Sequence, residues 1–122
     1  MALENQDEEN PYMPLRCMEY DVEDLERQLR HLKRYYQRNG GLEPGKEYLC
    51  GIKGTDRLVP TVTLVVFHGK GEWKAATGLQ EILDTSGMDD VLSRMLADYR
   101  IRVLNLAQLE EGNFKTGLRE LV

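Results

Sequence analysis

A chain of 122 residues is enough for one domain around a single core. With 41% apolar residues, 30% charged residues and a net charge of −5, it reads as a soluble globular chain. Its acidic balance argues against an autonomous tight DNA binder, because phosphate neutralisation drives such binding, but leaves room for a local basic patch.

The start, with Glu4-Asn5-Gln6 and then Asp7-Glu8-Glu9, is acidic and has no apolar stretch of the signal-peptide kind. No run approaches the roughly 18 apolar residues of a membrane span. A cytoplasmic location with no membrane partner is therefore expected. Cys17 and Cys50 share no ligand spacing and are expected as reduced thiols.

Residues 1–12 read as a loop or the end of a strand. A long helix is predicted over 14–39. Pro14 suits its first turn, and Leu15, Met18, Val22, Leu25, Leu29, Leu32 and Tyr36 form an unbroken three/four stripe. Asn39-Gly40-Gly41 supplies the stop. A coiled coil would show the same stripe, but about three heptads is the lower limit for one. A helix on a sheet is favoured, with Leu25 and Leu29 against the strand at 60–67.

Residues 42–57 read as a connection, with a short strand or helical turn near 48–52. The run 58–68 is almost wholly β-branched or apolar on both faces, which marks the central strand of a covered sheet. Helices follow over 77–96, with Thr77 as an N-cap and Asp89 and Asp90 favouring the dipole of the second. A strand is predicted at 100–106, and the start of a helix that the chain end cuts off at 113–122. The expected fold class is α/β, with the long helix packed on a small mixed sheet.

Three features are candidates for chemistry. Glu4 with Gln6 could hold a hard cation and orient water, although acidic N-terminal residues are more often simply solvated. Arg27, His31, Arg34 and Arg38 follow helical spacing away from the stripe and could track a phosphate backbone. The plainer reading of that ridge is a solvated face with Glu23–Arg27 and Glu26–Arg30 pairs. His68, at the end of the apolar strand, is more often a hydrogen-bonded structural residue than a base or ligand. Neither a Ser/His/Asp pattern, a P-loop nor a dinucleotide fingerprint is present.

Together, Glu4-Asn5-Gln6, Met13-Pro14-Leu15-Arg16, Met18 and Tyr20-Asp21 resemble the "ENQ…MPLR.M.YD" stretch of the recombination-promoting nucleases, the YhgA-like transposases. The block from Leu58 to Gly69, followed by Trp73, is similar to that family's "L.PVITLV.Y.G…W" strand. Asp98-Tyr99-Arg100-Ile101 resembles its "DYRI", and Phe114-Lys115-Thr116-Gly117-Leu118 its next segment. These landmarks run in the expected order over nearly the whole chain.

The resemblance implies a partial restriction-endonuclease-like, PD-(D/E)XK core that cuts DNA with Mg²⁺ in recombination or transposition. It implies Glu4 and Gln6 as the family's E-x-Q pair, with Glu4 as metal ligand. Arg16, Arg27, Arg34 and Arg38 are the candidate DNA contacts. The motif Asp and its strand would lie upstream of Glu4, so the whole chain, 1–122, is expected to be a single truncated nuclease-like domain, inactive alone. The alternative is a non-catalytic interaction module that docks onto itself, as a homo-oligomer through an exposed sheet edge, or onto a full-length paralogue.

Overall fold

The structure is a computed structural model that describes residues 2–108. The predicted helix at 113–122 and the landmark at 114–118 lie outside the described residues. In chain order the elements are β1 (Ala2–Gln6), α1 (Met13–Asn39), α2 (Lys46–Cys50), β2 (Thr63–Phe67), a 3₁₀ turn (Leu79–Ile82), α3 (Asp90–Met95), β3 (Arg102–Asn105) and α4 (Leu106–Gln108). The described residues form two compact units, one of residues 2–19 and 62–108, the other of residues 20–61.

The first unit is built on a three-stranded sheet in the order β1-β2-β3, with both pairings parallel. The expected mixed sheet is thus corrected to an all-parallel one. β1 and β2 are each followed by helical segments that carry the chain back to the same end for the next strand, as parallel neighbours require. β2 is the central strand, and all five of its residues are buried. It is shorter than the predicted 58–68. β1 is a full strand where the sequence suggested a loop or a strand end.

The core cluster joins Met13 and Cys17 of α1 to Val65 and Ile101, with Trp73, Tyr99 and Val103 packed against it. Met13 and Cys17 are one helical turn apart, so both project to the same side. The buried residues of α1 are therefore Met13, Pro14 and Cys17, not the predicted stripe. Leu15 is 43% exposed and Val22 47%, whereas Leu25 and Leu29 are half-buried members of the second unit. The expectation of Leu25 and Leu29 buried in the strand's core is corrected: the helix meets the core with its first two turns, one position out of phase with the stripe.

Asn10 prepares the start of α1, its side-chain oxygen accepting the Tyr12 N–H at 2.9 Å. At the other end Gly40 adopts φ 68° and its N–H donates to the Tyr36 carbonyl, which stops the helix where predicted. The segment before the 3₁₀ turn pairs antiparallel with residues 99–101 through Leu79 N–H to Tyr99 O and Ile101 N–H to Thr77 O, both 2.8 Å. Thr77 is not a cap. Instead the Glu81 carboxylate accepts the Thr77 and Gly78 N–H groups at 2.8 and 2.7 Å. α3 is capped by Asp89, which accepts the Leu92 N–H at 2.8 Å.

In the second unit polar side chains of α1 hold the returning chain. Gln28 clamps Val59 from both sides, its amide donating to the Val59 carbonyl at 3.0 Å and its oxygen accepting the Val59 N–H at 2.7 Å. The Tyr36 hydroxyl donates to Asp56, 2.7 Å from Oδ2 and 3.0 Å from Oδ1, and Asp56 also accepts the Lys53 N–H. At Gly51, φ 79°, an added Cβ would meet the Lys33 stem at 3.3 Å. Residues 46–50 are helical, which resolves the open choice near 48–52. Cys17 is buried and Cys50 exposed, and no disulfide joins them.

Two predictions follow from this packing. Met13→Ala is expected to lose about 2–5 kcal/mol by urea denaturation, and Leu15→Ala, half-exposed on a helix, less than about 1 kcal/mol. Equal losses would sink the one-turn contact. The second concerns pH. The Asp56 hydrogen bond raises Tyr36 from its ordinary 10.0 to about 12. The Tyr36 hydroxyl, then the Lys53 N–H, lower Asp56. Tyr36 therefore adds stability that is complete below pH 10.0 and lost as pH rises toward about 12. Asp56 adds stability present above its ordinary 3.8 and lost as pH falls through its lowered folded value. Phenolate absorbance should show one fewer late-titrating tyrosine in Asp56→Asn than in the wild type; unchanged titration would refute the pair.

Candidate functional site

The register of the sheet sets the site. Glu4 stands beside Val65 and Val65 beside Val103; Gln6 stands beside Phe67 and Phe67 beside Asn105. Side chains alternate along a strand, so Glu4 and Gln6 share one face and an apolar row adjoins the carboxylate. The fully buried Val65 of that row packs with Met13 and Cys17 of α1. Arg16 lies one helical turn from Met13 and next to Cys17, which brings it to the same face.

These placements join three of the sequence-predicted residues. Glu4 Oε1 accepts Gln6 Nε2 at 2.8 Å and pairs with Arg16 Nη2 at 3.1 Å. The Glu4 side chain is 16% exposed and that of Arg16 46%. A carboxylate this shielded needs a compensating charge, and the guanidinium supplies it. Arg16, expected as a DNA contact, is here the counter-ion of Glu4. Sequence reasoning missed that role, because a twelve-residue separation carries no periodic signal.

Around the carboxyl ends of β1 and β2 further contacts tie the chain down. His68 N–H donates to the Gln6 carbonyl at 2.8 Å and its Nε2 lies 3.1 Å from Asn5 Oδ1, the structural role expected for it. Glu9 Oε1 accepts the N–H groups of both Lys74 and Ala75. Asn105 Nδ2 donates to the Gly71 carbonyl at 2.7 Å. An added Cβ at Gly69 would fall 2.3 Å from the Phe67 ring and 2.8 Å from the Asp7 carbonyl, so only glycine fits there.

The predicted ridge belongs to the second unit. Arg27 turns to Asp24, 3.4 Å away at i,i+3, rather than to Glu23, and the Glu26–Arg30 pair is not formed. Arg34 and Arg38 are exposed and make no ion pair among the described residues.

Mg²⁺ asks for near-octahedral oxygen ligands. At Glu4 the near oxygen already takes two N–H donors, and Gln6 turns a nitrogen rather than an oxygen toward it. Among the described residues no three His, Cys, Asp or Glu side chains gather as a metal site. The residues present do not fit a magnesium ion by themselves. Among the described residues, no helix is long and apolar enough to cross a membrane. No family model matches the chain, and no curated protein or solved structure is significantly similar to it.

Proposed function

We propose that this chain is part of a Mg²⁺-dependent DNA endonuclease of the recombination-promoting, YhgA-like kind, with a partial PD-(D/E)XK core, and that alone it does not cut DNA. The observation that carries the reading is the E-x-Q pair itself. Glu4 and Gln6 lie on one face of a sheet strand, joined by a 2.8 Å hydrogen bond, with the long helix α1 following. A carboxylate on a strand beside a water-orienting amide is half of what metal-assisted phosphodiester hydrolysis needs. A second carboxylate must come from another polypeptide segment. A neutral Gln orients water but does not neutralise charge.

DNA would be held by Arg27, Arg34 and Arg38, which step along one face of α1. In an acidic chain such contacts give weak, salt-sensitive binding. Purified chain incubated with plasmid DNA and Mg²⁺ or Mn²⁺ is expected to leave the DNA intact. Cleavage that disappears in Glu4→Ala would overturn the inactivity. Binding at low salt is expected to vanish on charge reversal of the three arginines. A chain that neither binds nor cuts DNA would overturn the nuclease reading.

One observation favours a second reading, a non-catalytic module that docks onto itself or a paralogue. β1 is an edge strand of the described sheet. Ala2 N–H bonds to Val62 O, and Gln6 O accepts from His68 N, so the even-numbered residues face β2. The backbone groups of Leu3 and Asn5 therefore point away from β2, and the Leu3 side chain is 58% exposed. If this edge self-associates, sedimentation will show oligomers that Leu3→Lys dissociates. A monomer at every concentration sinks it.

A further inference from the structure

The Glu4 site and its arginine disagree with a resident cation, and the disagreement is informative. Resting on the E-x-Q reading above, we propose that the Arg16 guanidinium occupies the side of the Glu4 carboxylate where a divalent ion would bind, so that this pair is closed to metal in the chain as it stands.

The geometry is specific. Arg16 Nη2 lies 3.1 Å from Oε1, the same oxygen that accepts Gln6 Nε2 at 2.8 Å. A cation placed on that oxygen would meet two N–H donors and a fixed positive charge. Arg16 is held near Glu4 by more than attraction. It sits between Met13 and Cys17, both 0% exposed, on the turn of α1 that packs on Val65. Its backbone cannot leave without uncovering the core. The guanidinium does not lose its charge in the accessible pH range, so deprotonation of Arg16 does not open the pair. Neutralisation from within the fold also explains how a carboxylate only 16% exposed stands beside Val65 without a metal.

The test uses Mn²⁺ as the probe, read as the loss of free-ion electron paramagnetic resonance signal. Wild type, Arg16→Gln, Arg16→Lys and the double variant Glu4→Gln/Arg16→Gln are titrated, with circular dichroism melts to verify folding. Arg16→Gln is expected to bind Mn²⁺ weakly, but at least about tenfold more tightly than the wild type, because a fixed cation no longer opposes the metal at the Glu4 oxygen. The gain should vanish in the double variant, and Arg16→Lys, which keeps the charge, should stay closed. Should Arg16→Gln unfold, Arg16→Met keeps the apolar stem and carries the same expectation. Equal, Glu4-dependent binding by wild type and Arg16→Gln would overturn the guard and leave the metal-site reading standing. So would an Arg16→Lys that binds as well as Arg16→Gln, since charge would not be the cause. Absence of Glu4-dependent binding in every folded variant would also overturn the guard, because removing the arginine would then open nothing, while the nuclease reading stands or falls on the DNA binding and cleavage assays above.

Discussion

Five consecutive buried residues, Thr63 to Phe67, impose the constraint from which the first unit follows. A strand with no exposed position needs a neighbour on each edge and cover on each face. β1 and β3 supply the edges. Because both run parallel to β2, the chain must return between strands, and the returns become the helical segments. On one face Val65 is closed over by Met13, Cys17 and Ile101. The start of α1 is thereby fixed, with Pro14 in its first turn where the missing N–H costs nothing.

That fixed helix start also settles the charge at the sheet's edge. Once Met13 and Cys17 face Val65, Arg16 is committed to the neighbouring Glu4. The ion pair is thus a consequence of the apolar contact rather than its cause. It gives Glu4 a partner that a carboxylate beside an apolar row requires, and it makes the E-x-Q pair chemically different from one that faces only water.

The second unit is held on another principle. Its ties run through side-chain amide, hydroxyl and carboxylate groups to the returning chain: Gln28 to Val59 and Tyr36 to Asp56. These ties are directional and orient single residues, while Tyr48 and Leu49 of α2 remain 74% and 86% exposed. Unlike the sheet, the unit therefore depends on the ionisation state of Asp56 and Tyr36.

Local signals in the sequence determined the long helix and its glycine stop, the central position of the 63–67 strand, the strand near 102–105 and the hydrogen-bonded role of His68. Each rests on periodicity, β-branching or turn chemistry carried by adjacent residues. Tertiary structure decided between a loop and a strand for residues 2–6, since Glu4-Asn5-Gln6 has little strand propensity and is held by pairing with residues 61 positions away, Ala2 beside Thr63. It also decided that Met13 and Cys17 are the α1 residues buried on Val65, while Leu25 and Leu29 are only half-buried. A helical stripe records which residues are apolar, but not at which turn the sheet is reached. The Glu4–Arg16 pair was illegible for the same reason: it depends on the register of β1 and on the rotation of α1 about its axis, and both are set by long-range packing.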